Sequence, residues 1–118
     1  MLLSWFDRPE AADGMNVVIH EFAHKLDMLN GPPDGLPPLH EGMNRQAWID
    51  AFEPAYADFC QRVDDGEATH IDPYAAEHPA EFFAVTSEVF FEAPDLLRHD
   101  YPAVYEQLRQ FYRQDPLR

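Results

Sequence analysis

The stretch Val17-Val18-Ile19-His20-Glu21-Phe22-Ala23-His24-Lys25-Leu26-Asp27 decides how this chain reads. Apolar residues run from Met15 through Leu29 with no proline or glycine among them, which predicts a helix. Asp13 stands ahead of it as a candidate N-cap, and Gly31 followed by Pro32-Pro33 ends it. So much of its circumference is apolar that the helix is expected to be buried. His20 and His24 are one turn apart, so their rings lie one above the other and can share a divalent metal. Glu21, beside the first histidine, is then placed to act as general base on a metal-activated water.

A His-Glu-x-x-His run arises by chance often enough that its surroundings must decide. The competing reading is a pair of hydrogen-bonded core histidines, and Glu21 together with the apolar helix weighs against it. Catalytic zinc takes three protein ligands and keeps one position for solvent. A third histidine six residues after His24 would supply the set, but that position is Asn30. A glutamate from a later helix is the other common solution, and Glu77, Glu81 and Glu88 are available. Glu81 stands out in Pro79-Ala80-Glu81-Phe82-Phe83, because a carboxylate on an apolar segment needs a partner. Its plainer reading is a first-turn acid favoured by the helix dipole. Two histidines and a glutamate suit zinc. Asp27 lies on the same face, three residues after His24 and seven after His20. It either accepts the second ring N–H of a ligand histidine or is an exposed helix charge.

The rest of the chain bounds the possibilities. Its 118 residues suffice for one domain with one modest core. With 22 acidic against 8 basic side chains the formal charge is −14, which repels nucleic-acid phosphates and anionic lipid. We therefore expect neither as a partner. The single cysteine, Cys60, excludes an internal disulfide and reads as a small core hydrophobe among Phe52, Tyr56, Phe59 and Val63. The start, Met1-Leu2-Leu3-Ser4-Trp5, is short for a signal sequence and lacks a basic flank, so the expected location is the cytoplasm.

Outward from the first helix, Leu2 to Phe6 reads as a short strand, and Asn30 to Leu39 as a proline-rich loop. A second helix is expected over Arg45 to Val63, with Trp48, Phe52, Tyr56, Phe59 and Val63 on one stripe and Pro54 kinking or dividing it. Asp64 to Pro73 is turn-like. Pro79 opens a third helix reaching about Phe91, with Phe82, Phe83, Val85, Val89 and Phe90 inward. A last helix follows Tyr101-Pro102 through Val104, Tyr105, Leu108, Phe111 and Tyr112. The fold class is mainly α. Spacing alone makes Tyr74 an ordinary loop residue, although its phenol could serve as an oxyanion donor. His40, His70, His78 and His99 have no ligand spacing and read as surface histidines.

Taken together, these segments resemble the Mlc titration factor A family of zinc peptidases, whose catalytic core is similar to that of anthrax lethal factor. The resemblance rests on Val17 to Asp27, Asp72-Pro73-Tyr74-Ala75-Ala76, Pro79-Ala80-Glu81-Phe82-Phe83-Ala84-Val85 and Phe90-Phe91-Glu92-Ala93-Pro94. Tyr101-Pro102-Ala103-Val104-Tyr105 and Phe111 to Pro116 extend it over nearly the whole chain. It implies His20, His24 and Glu81 as zinc ligands, Glu21 as general base and Tyr74 as the active-site tyrosine. It implies a zincin-like α+β core of which residues 1–118 form the C-terminal part, with most of the N-terminal sheet absent and the active-site helix packed on two or three others. It also implies a cytoplasmic metallopeptidase, aminopeptidase-like on small substrates, that binds the glucose-responsive repressor Mlc. Two further expectations come from the missing sheet: a catalytically weak zinc-containing binding module that contacts a transcriptional regulator, and self-association. At His78 the relatives tend to carry an N-capping Asn.

Overall fold

A predominantly apolar helix, Pro79–Glu92, sits at the centre of this fold. The computed structural model describes residues 15–116, except for the side chains of residues 15–17 and 30. In chain order the helices are α1 (Met15–Asp27), α2 (Arg45–Asp64), α3 (Pro79–Glu92), α4 (Pro94–Asp100) and α5 (Pro102–Tyr112). Short 3₁₀ turns occupy Met28–Asn30 and Pro73–Ala76. Among the described residues there is no strand, so the mainly α class stands. The expected strand at Leu2 to Phe6 and the expected cap Asp13 lie outside the described residues.

Helix α3 is buried around most of its circumference: Ala80, Phe82, Phe83, Ala84, Val85, Thr86, Ser87 and Phe90 are all core. It touches α1, α4, α5 and the 73–76 turn, while α2 packs on α5 and that same turn. A helix buried this deeply must satisfy its own hydroxyls. Thr86 donates to the Phe82 carbonyl at 2.7 Å, and Tyr112 donates to the Ser87 hydroxyl at 2.9 Å. The α2 stripe meets it through aromatic rings. Trp48 stacks on Phe52 at 4.4 Å between centroids, and Phe52 meets Phe82 edge-on at 6.2 Å.

Three local expectations change. Helix α2 runs as one element through Pro54, which therefore does not divide it. The carbonyl that loses its donor there belongs to Asp50, and both residues are exposed, so water can replace the missing bond. Helix α4 is an element that periodicity did not reveal. Helix α3 stops at Glu92, and Pro94 then restarts the chain at a first-turn position where its missing N–H costs nothing. Leu97, fully buried, holds α4 down.

The third change concerns α1, which is not buried all round. Val18 and Phe22 are 61% and 56% exposed, and Leu29, in the turn that follows, 70%, whereas Ala23 and Asp27 are completely covered. Among the described residues helix α1 packs chiefly on α3, and a single neighbouring helix can cover only one stripe.

Asp27 is neither the tautomer-fixing acceptor nor the exposed charge that its position allowed. Its carboxylate accepts the backbone N–H groups of Asp34 (3.3 Å) and Gly35 (2.8 Å). Burial raises its pKa above the usual carboxylate value, outweighing those two bonds. On the other side of the loop, the Gly35 carbonyl accepts the Trp48 indole N–H at 3.1 Å. Gly35 has φ 82°, and a Cβ there would stand 2.8 Å from the Pro79 carbonyl oxygen. The residue is thus wedged between α1, α2 and the first residue of α3, and only glycine fits.

That wedge predicts an asymmetry between two glycines. Gly42 also has positive φ, 98°, but open space around its Cβ direction. Gly42→Ala should cost about 1–2 kcal/mol of backbone strain. Gly35→Ala should cost clearly more, measured by urea denaturation. Equal losses would mean that the close approach to Pro79 does not constrain the fold.

Candidate metal centre

The start of α3 fixes the carboxylate that faces α1. His78 is extended, and its Nδ1 accepts the Ala80 N–H at 3.0 Å, so this histidine is the N-cap of α3. It takes the place that an asparagine would fill while staying at the surface. Pro79 follows at the first helical position, and Glu81 falls in the first turn. From there the Glu81 side chain reaches α1.

Glu81 Oε1 lies 3.1 Å from His20 Nε2 and 3.1 Å from His24 Nε2. The two imidazoles stand edge to face with centroids 4.7 Å apart. One donor atom from each of His20, His24 and Glu81 lies within 4.8 Å of the others, a spacing that could hold a metal ion. All three side chains are about four-fifths buried. Two imidazole nitrogens and one carboxylate oxygen are the donor set that zinc favours, and three donors leave a coordination position open. The residues present therefore fit such an ion.

The other ring nitrogen of His20 has a partner that sequence spacing does not reveal. His20 Nδ1 is hydrogen-bonded to Glu88 Oε2, seven residues beyond Glu81 and on the same face of α3. Glu88, one of the glutamates considered as third ligand, thus meets the imidazole on the side away from Glu81. Glu77 is exposed at the end of the 73–76 turn and does not join the cluster. Burial lowers the proton affinity of His20, but the carboxylates of Glu88 and Glu81 outweigh it and hold its pKa above the ordinary histidine value.

Tyr74 comes to the same place from the 73–76 turn. Its ring centroid is 6.5 Å from that of His20, and the residue is 52% exposed. The Glu81 carboxylate, and then burial, raise the pKa of its phenol and keep it protonated. The turn is well anchored. Asp72 accepts the Tyr74 N–H at 3.0 Å, Ala75 is fully buried, and the Ala76 carbonyl accepts from Tyr56 at 3.0 Å and Cys60 at 3.8 Å. Cys60, read as a small core hydrophobe, is only half-buried. Glu21 is exposed on α1, about 100° round the helix from His20.

The remaining histidines lie away from this cluster. His40 is half-buried rather than at the surface. Its Nε2 bonds to the Phe111 carbonyl at 2.6 Å, and its ring stacks on Phe111. His70 and His99 flank Asp100 at the exposed end of α4, each at 3.1 Å.

Mlc titration factor A of Edwardsiella ictaluri (strain 93-146) is 45% identical over 122 residues, which cover 99% of this chain and 46% of that protein. The protein of the same name from Yersinia pestis (strain Pestoides F) is 46% identical over 123 residues, covering 99% and 45%. An uncharacterized protein of Synechocystis is 39% identical, covering 99% of this chain and 44% of its own length. The chain thus spans about half the length of the curated relatives it matches. Residues 1–113 match the family described as glucose-regulated metallo-peptidase M90, and the chain belongs to that family.

Proposed function

We propose that this chain is the metal-holding catalytic part of a zinc peptidase. The observation that carries the reading is the single oxygen, Glu81 Oε1, placed equally far from Nε2 of His20 and Nε2 of His24. Membership of a metallopeptidase family supports it. His20, His24 and Glu81 would hold the ion. When bound, zinc polarises a carbonyl oxygen and lowers the pKa of a water molecule.

The chain's own residues supply the rest. Glu21 takes a proton from the attacking water and returns it to the leaving amine nitrogen. Tyr74, protonated beside Glu81, donates a hydrogen bond to the carbonyl oxygen as charge develops there. Tyr74 is exposed, so a substrate can reach it, and the buried Ala75 behind it fixes the turn. Short peptides with a free amino terminus are the proposed substrates. An acidic surface of net charge −14 attracts the ammonium group, and the resemblance to aminopeptidase-like relatives points the same way. The proposed place of action is the cytoplasm; among the described residues no helix is long and apolar enough to cross a membrane.

A second role rests on the relatives' name. Proteins called Mlc titration factor A are named for a factor, Mlc, and we propose that this chain contacts a repressor of that kind. Co-elution of the purified chain with that repressor on gel filtration is the expected result, and separate elution would count against it.

For the enzymatic reading, Glu21→Gln should lower kcat by about 10²–10⁴-fold while leaving bound zinc unchanged. Turnover equal to wild type would show that Glu21 is not the base. Tyr74→Phe should lower kcat by about 10²–10³-fold with little change in KM, because the hydroxyl acts as charge develops. A rise in KM at constant kcat would instead make Tyr74 a substrate-binding residue. Chelation should abolish hydrolysis, and added zinc should restore it. Hydrolysis that survives complete zinc removal would contradict the metal's role.

A further inference from the structure

The two nitrogens of His20 face two different carboxylates. Nε2 points to Glu81, where His24 Nε2 also converges, and Nδ1 is hydrogen-bonded to Glu88. Glu81 and Glu88 are seven residues apart on α3, so they share a face and stand about 10 Å apart along the axis. The ring of His20 fits between them. Glu88 is 18% exposed, as is His20, so this contact is partly shielded from solvent.

An imidazole can offer a lone pair at one nitrogen only when its proton sits on the other. An isolated histidine divides between two tautomers and rotates about its side-chain bonds. A carboxylate held against Nδ1 removes both freedoms. It retains the proton at Nδ1, leaves the Nε2 lone pair free, and fixes the ring plane toward Glu81 and His24. Asp27, which shares the α1 face, is not available for this task because it is committed to the Asp34 and Gly35 amides.

We propose that Glu88 is a positioning residue that sets the tautomer and orientation of His20 for metal binding. The inference rests on the reading of His20, His24 and Glu81 as the metal-holding set. Glu88 would not itself hold the ion, because its oxygen meets Nδ1, on the opposite edge of the ring from Glu81.

The test measures zinc affinity by competition with a chromophoric chelator, alongside urea denaturation of the zinc-free proteins. Glu88→Ala should weaken zinc binding by about 10–100-fold while keeping one site per chain. Glu88→Gln should recover part of that loss, because its amide oxygen can still accept the Nδ1–H. Long-range ¹H–¹⁵N spectra of the zinc-loaded wild type should show His20 protonated at Nδ1. Glu81→Ala, which removes a ligand, should lose tight binding altogether. If the wild type binds zinc and Glu88→Ala binds it within twofold as tightly, Glu88 has no positioning role, whatever its effect on folding stability. If the wild type binds no zinc in a Glu81-dependent manner, the metal reading fails and the role of Glu88 falls with it.

Discussion

The contact between α1 and α3 is the constraint on which the candidate site depends. On α1 one stripe carries His20, Ala23, His24 and Asp27. On α3 the facing stripe carries Glu81, Ala84, Val85 and Glu88. Ala23 and Ala84 are both fully buried at the middle of these stripes. Small side chains there let the two helices come close enough for a glutamate on one to meet two histidines on the other. Polar groups then sit where burial would otherwise make them costly, and each one meets an oppositely disposed partner. A larger residue in either alanine position would push the helices apart and separate the donors.

The loop between α1 and α2 sets how far α1 can slide along α3. Asp27 grips the amides of Asp34 and Gly35, Trp48 grips the Gly35 carbonyl, and Gly35 presses against Pro79. Pro79 is two residues before Glu81. One short run of backbone therefore connects the end of the histidine helix to the start of the glutamate helix. This explains why a carboxylate is buried at position 27 although burial disfavours its charge. Its value to the fold is positional.

Much of this was legible in the sequence. The spacing of His20 and His24, the exclusion of a third histidine by Asn30, and the apolar setting of Glu81 are local properties, and local patterns carry them. The course of α3 was equally clear, since Pro79 opens it and Pro94 forbids its continuation. The rest was illegible for physical reasons. Helical periodicity shows which residues of α1 are apolar but not how many neighbours cover them, so the exposure of Val18, Phe22 and Leu29 could not be read. Asp27 was assigned to its own face, whereas its partners are backbone amides in a loop. The cap formed by His78 depends on its extended backbone, and the start of α4 on the single residue, Ala93, that separates it from α3. Glu88 was in view as a ligand, but which side of the imidazole it meets is a matter of helix register.

The central claim is that His20, His24 and Glu81 hold one metal ion and leave a position for reaction. X-ray absorption spectroscopy at the zinc edge of the loaded chain tests it most directly. The expected spectrum has two imidazole nitrogens at about 2.0–2.1 Å and two oxygens at similar distance, both of which remain after Tyr74→Phe and one of which is lost in Glu81→Ala. A sulfur shell near 2.3 Å, a third imidazole, or a spectrum unaltered by Glu81→Ala would contradict it.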